Sequence, residues 1–303
     1  MSAEKAIRFV EVAPRDGFQN WPDPVSTEVK ERLVRDLLGA GVETVEATSF
    51  VSPTWVPQMA DAEDLMRRLG PDIHPRLRVL VPNVRGFERA VAAGASAVVV
   101  NVAATDGFNR KNLNRTVEET LAEIAAVCEL APAAGVEVVG SLSVAWGCPY
   151  DGPVPKERAL EVARRLIAAG CARLSIADTI GVANPGAVRE LCHDALAEFG
   201  VERVAVHFHD TRGLGVANVL AGLEAGVREF EGSLGGIGGC PFAPRATGNV
   251  CSEDFLHMLD LLGFPSGADV PRLLEIAGWL AEDLGRPLPG KLYRAGLEPW
   301  VAG

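Results

Sequence analysis

The chain has 303 residues, 48% of them hydrophobic and 23% charged, a balance that excludes a mainly disordered protein. Its net charge of −11, from 29 Lys and Arg against 40 Asp and Glu, argues against nucleic acid as a partner, which calls for a basic surface. No apolar run reaches the roughly 18 residues of a membrane span. The start, MSAEKAIRFVEV, carries neither a basic-then-apolar signal nor an Arg-rich leader, and a cytoplasmic location is expected. The six cysteines, without a CxxC pair, read as reduced thiols.

Along the chain one rhythm repeats. A small residue and a glycine close a helical stretch, and a short β-branched run follows. It occurs at Gly41, Gly94, Gly135, Gly170, Gly200 and Gly226. Glycine is favoured just past a helix end because it takes the left-handed conformation without strain. The runs predict strands near 7–12, 42–48, 76–81, 96–102, 136–144, 172–178, 203–209 and 228–233, each followed by a helix. Helical stripes such as Val29, Leu33, Val34, Leu37 and Leu38 separate them. Thr116 with Glu119 predicts a capping box, and Asn184-Pro185 a helix start.

Eight alternating units in about 260 residues predict an α/β fold, a (β/α)8 TIM barrel over about 5–262. Helices are expected in a C-terminal extension over about 264–303, packed on the barrel or on another subunit. The whole chain is expected to be one domain. A doubly wound open sheet would want a G-x-G-x-x-G turn after an early strand. The nearest match, at Gly213 and Gly215, follows the seventh strand and lacks the third glycine.

Barrel enzymes place their chemistry at the C-terminal ends of the strands. Arg15 and Asp16 follow the first strand, Glu46 ends the second, Asp178 the sixth, and His207 and His209 the seventh. His207 and His209, two apart on a strand, share a face and point at the barrel axis. They form either a metal site or a hydrogen-bonded pair in a polar mouth; Asp16, able to approach from the first strand, favours the metal. The ligand types suit Mg²⁺ or Mn²⁺, with Zn²⁺ allowed on ligand type alone. Asp210 is expected to point away, as a loop residue. Cys240 ends a run with four glycines in the five residues 235–239, and is either a catalytic thiol on a mobile loop or a small residue in a turn. Asp178 is either a pocket residue or a helix cap. The residues themselves thus indicate a metal-assisted enzyme for an oxygen-rich anion, with Arg15 beside developing negative charge.

VEVAPRDGFQN at 10–20, VEATSFVSPTWVPQMAD at 45–61, SIADTIGVANPG at 175–186, VHFHDTRGLGVAN at 206–218 and GGCPFAPRATGNV at 238–250 resemble the 3-hydroxy-3-methylglutaryl-CoA (HMG-CoA) lyases of the DRE-TIM metallolyase superfamily. The resemblance runs to about residue 262. It implies a (β/α)8 barrel and divalent-metal-dependent cleavage of a carbon–carbon bond in an acyl-CoA. It assigns Asp16, His207, His209 and Asn249 as metal ligands, Arg15 to the enolate oxygen and Cys240 to acid–base work. Glu46 and Asp178 would line the pocket, and Gln19 would approach the metal shell. Arg245, where a small uncharged stretch is usual, is expected to bind an anionic group of substrate or CoA. That departure, with Arg212, Leu214 and 105–109, leaves room for a citramalyl-CoA or a longer 3-hydroxy-3-alkylglutaryl-CoA. An acetyl-CoA-condensing synthase and a metal-free binding barrel are the remaining alternatives. A homo-oligomer, dimer or higher, is expected.

Overall fold

The structure, a computed structural model, describes residues 6–239 and 248–297. Eight parallel strands close into a barrel: β1 (Arg8–Glu11), β2 (Thr44–Ser49), β3 (Leu77–Leu80), β4 (Ala97–Ala103), β5 (Glu137–Ser143), β6 (Arg173–Asp178), β7 (Val204–Phe208) and β8 (Glu229–Gly232). Each pairs with its sequence neighbours and β8 returns to β1, with Arg8 opposite Glu229 and Glu11 opposite Gly232. All eight predicted strands are present, most of them shorter than predicted at one end or both. At β7 the predicted last residue, His209, has left the ladder to pair with Asn249.

The surrounding helices are α1 (Thr27–Gly39), α2 (Ala62–Leu69), α3 (Val84–Ala92), α4 (Asp106–Leu113), α5 (Val117–Ala134), α6 (Lys156–Ala169), α7 (Pro185–Phe199) and α8 (Gly215–Ala225). The capping box at Thr116 and Glu119 forms, and the Asn184 side chain accepts a hydrogen bond from the Ala187 amide. All six punctuating glycines take positive φ. Apolar stripes such as Leu33, Val34 and Leu37 are buried between helices and strands, where most of the core lies. Two features lie outside the simple rhythm: α4 precedes α5 after β4, and Gly147–Cys148 pairs antiparallel with Gly152–Pro153 after β5.

The C-terminal part folds as α9 (Ser252–Leu261), α10 (Val270–Asp283) and the single turn α11 (Leu292–Ala295). It packs on this chain's own barrel. The Asp269 amide donates to the Ala40 carbonyl at 2.7 Å, and the Ile7 amide to that of Pro265 at 3.2 Å. The five described cysteines are free and buried. Among the described residues no helix is long and apolar enough to cross a membrane.

Candidate metal centre and active site

β1 exits into a π-helical turn, Ala13–Gly17, whose wider winding is frequent at functional sites. The turn carries Arg15 and Asp16. It is held by Glu11, which accepts hydrogen bonds from the Ala13 amide (2.8 Å) and, across the barrel end, from the Leu234 amide (2.9 Å) and the Ser252 hydroxyl (2.7 Å). One buried carboxyl thus ties the exits of β1 and β8 to the segment that carries Asn249.

Asn249 itself is placed by backbone pairing. The Val250 amide donates to the Phe208 carbonyl (2.9 Å) and the Asp210 amide to that of Gly248 (3.1 Å), which sets Asn249 beside His209. The approach is close enough to require glycine at 238, where an added Cβ would lie 2.5 Å from the Asn249 amide nitrogen.

Asp16, His207 and His209 offer ligand atoms that all lie within 4.8 Å of one another. That is about twice a metal–ligand bond, so one cation can reach all three. The imidazole centroids are 5.2 Å apart. Asn249 Nδ2 donates to Asp16 Oδ2 at 2.8 Å and to the Ile237 carbonyl at 3.1 Å. Both partners are acceptors, so this fixes the amide orientation. Its Oδ1 is left buried without a hydrogen-bond partner, as are His209 Nδ1 and Gln19 Oε1. Buried acceptors left unpaired are costly in a finished protein and ordinary where a ligand completes them. A carboxylate, two imidazoles and an amide oxygen fit a divalent cation.

Charge at the site suits that role. Burial works against ionisation of Asp16, but Arg15, His207, His209 and the Asn249 amide outweigh it and hold the carboxyl at about 2. Burial and the neighbouring His207 push His209 down to about 3, leaving a neutral imidazole able to ligate. For His207, burial favours the neutral form, yet Glu231 and Asp16 hold it above the ordinary range. Arg15 pairs with both Glu46 and Asp16. Burial opposes its charge, and these two carboxylates more than restore it. Burial raises the Glu46 carboxyl, with Arg15 pulling the other way.

Arg15, Asp16, Glu46, His207, His209 and Asn249 therefore meet at one end of the barrel. Asp178 does not cap the helix that follows, whose N-cap is Asn184: its two oxygens accept from the Val182 and Ala183 amides of the loop, both at 2.9 Å. Asp210 is a loop residue, accepting from the Gly215 amide and paired with Lys291. Cys240 and Arg245 lie outside the described residues. Glu231, whose Oε2 is 3.1 Å from His207 Nδ1, was missed by sequence reasoning. The alternation Glu229-Phe230-Glu231 on an inward-facing strand was the available signal.

The chain matches the HMGL-like family profile over residues 6–279. It belongs to that family. Mitochondrial hydroxymethylglutaryl-CoA lyase of Mus musculus is 43% identical over 291 residues, 96% of this chain and 90% of the relative. (R)-Citramalyl-CoA lyase of Chloroflexus aurantiacus is 41% identical over 302 aligned positions, 96% of this chain and 95% of the relative. An HMG-CoA lyase from Acinetobacter baumannii, solved with coenzyme A and 3-methylmalate, superposes with a TM-score of 0.95 at 33% identity. That match covers 100% of this chain and 99% of the other.

Proposed function

We propose that this protein is a divalent-metal-dependent carbon–carbon lyase that cleaves HMG-CoA to acetyl-CoA and acetoacetate. The observation that carries the reading is the pair of buried atoms without hydrogen-bond partners, Asn249 Oδ1 and His209 Nδ1, beside the ionised Asp16 and the Arg15 cation. Asp16, His207, His209 and Asn249 would hold Mg²⁺ or Mn²⁺, which when bound would supply Lewis-acid polarisation of the substrate's oxygens. Transfer of the tertiary hydroxyl proton to a base lets the C2–C3 bond break, its electron pair passing into the thioester to give acetoacetate and the enolate of acetyl-CoA. Arg15, already oriented by Glu46 and Asp16, faces the charge that develops on the enolate oxygen. Cys240 returns a proton to the enolate carbon, and the glycines before it let its loop close over the thioester. Gln19, with its buried free oxygen, and Asp178 line the substrate pocket, and Arg245 binds an anionic group of substrate or CoA.

A second reading rests on the Chloroflexus relative, whose identity is within two points of the mouse enzyme's. On it the substrate is citramalyl-CoA and the products are acetyl-CoA and pyruvate. Both thioesters are to be offered to the Mn²⁺- and Mg²⁺-loaded protein and the products read by mass. Higher kcat/KM on HMG-CoA supports the first reading. Cleavage of citramalyl-CoA alone replaces it with the second, and no cleavage of either by metal-loaded protein overturns both.

A further inference from the structure

Below the metal centre the barrel interior is not apolar. β7 and β8 set His207 directly opposite Glu231, and β2 and β3 set Glu46 opposite Arg78. The side chains form a column down the axis. His207 Nδ1 meets Glu231 Oε2 at 3.1 Å. Arg78 reaches Glu231 Oε1 with one terminal nitrogen at 3.6 Å and donates to Glu229 Oε1 with the other at 2.6 Å. Arg8 and Arg173 close the column from below, each 3.0 Å from Glu229 Oε2. Glu231 and Arg78 are 6% and 4% exposed, so neither is a casual surface ion.

An imidazole can donate from one nitrogen and ligate through the other. With an acceptor at Nδ1, the proton of a neutral His207 belongs there, and the Nε2 lone pair is left for a cation. Among the described residues no carboxylate hydrogen-bonds the His209 ring, whose Nδ1 is left open to the cation. The two ligands are therefore unequal: one is oriented and made more basic by a buried carboxylate, the other is held by packing and by the backbone pairing of its strand end. Carboxylate partners of this kind raise metal affinity through the imidazole they hold.

We propose that Glu231, held in place by Arg78, is the positioning residue of the metal centre, fixing His207 as the Nδ1–H tautomer with Nε2 toward the cation. The assignment rests on the metal-site reading above. Arg78 draws Glu231 toward it and is itself neutralised by Glu229, so the column carries its charge without leaving an unpaired ion in the interior.

Two measurements test this. The first reads metal-free wild-type protein: long-range ¹H–¹⁵N correlation of the His207 ring, with His207→Gln used for assignment. An Nδ1–H tautomer in the neutral ring is expected, and Nε2–H overturns the proposal even if the protein binds no metal. The second is Mn²⁺ affinity, read from the electron paramagnetic resonance of the free ion, together with the visible spectrum of the Co²⁺-loaded protein. Glu231→Gln is near-isosteric and is expected to weaken Mn²⁺ binding roughly 10–100-fold and to shift the Co²⁺ bands. A purely structural role would lower the melting temperature and leave the affinity of the folded fraction unchanged, which overturns the assignment. Wild-type protein that takes up no Mn²⁺ would instead sink the metal-site reading and leave the tautomer result to stand or fall alone.

Discussion

Both ends of the barrel hold buried charged groups and treat them differently. At the N-terminal end Glu229 receives Arg8, Arg78 and Arg173, and the outer two arginines also meet Glu202 and Glu137 at the rim. At the C-terminal end Asp16 and Glu46 share Arg15, and the neighbouring Asn249 and His209 keep buried acceptors with no partner. At the N-terminal end Glu229 and Arg78 each have a counter-ion, although Arg78 Nη1 makes no hydrogen bond; at the C-terminal end the open atoms are ones a cation could bind. The contrast predicts that mutations at the two ends fail in opposite ways.

The largest functional effect belongs to the open end. Asp16→Ala removes the one carboxylate among the proposed metal ligands. It is expected to lower kcat/KM on the acyl-CoA substrate by roughly 1,000-fold or more and to abolish Mn²⁺ binding at micromolar concentration. The metal-free variant should still unfold cooperatively near the wild-type temperature. Titration by calorimetry and a thermal melt check both halves, and a variant that melts early would show that Asp16 is a structural ion after all.

Glu229→Ala should reverse the pattern. It leaves three guanidinium groups, one of them nearly fully buried, without their shared carboxylate. Breaking such a cluster from one side costs about 3–5 kcal/mol. Urea denaturation should show that loss, while the protein that remains folded binds Mn²⁺ within a few-fold of wild type. A comparable loss of metal affinity would mean that the two ends are not separable and that the axial column transmits more than position.

The frame was legible because its determinants are local. Six glycines at helix ends and β-branched runs after them are set by backbone sterics, and six of the eight strands follow from that. Asp16, His207 and His209 were legible because strand alternation and strand-end position place them. Asn249 was not, since what brings it to His209 is a backbone pairing between residues 40 apart; only the family resemblance pointed to it. Glu11, Arg78 and Glu231 escaped for a different reason. Charged residues in strands read ordinarily as solvent-facing, and only closure of the barrel turns that face inward. α4 and the hairpin at 147–153 interrupt the repeat, and periodicity carries no information about such insertions.

The smallest effect sharpens the comparison by asking what holds the open end, where arginine clusters do not. Glu11 supports it, and burial pushes that carboxyl up to about 8, against the pull of the Ser252, Ala13 and Leu234 hydrogen bonds. Glu253, which accepts from the Gly235 amide, is raised to about 7 by the same cause. In the unfolded chain both ionise near the ordinary glutamate value. Between that value and about 8 the native state thus retains protons that the unfolded state has released. Stability is then fully present below the ordinary value and is lost as pH rises through the folded one. For Glu11 alone the loss between pH 6 and pH 8 is roughly 2 kcal/mol. Melting temperatures of metal-free protein should fall over that range, and Glu11→Gln, neutral at every pH, should flatten the slope. A wild-type profile that is level or rising, or a variant with an unchanged slope, would place the open end under ionised groups and erase the difference between the two ends.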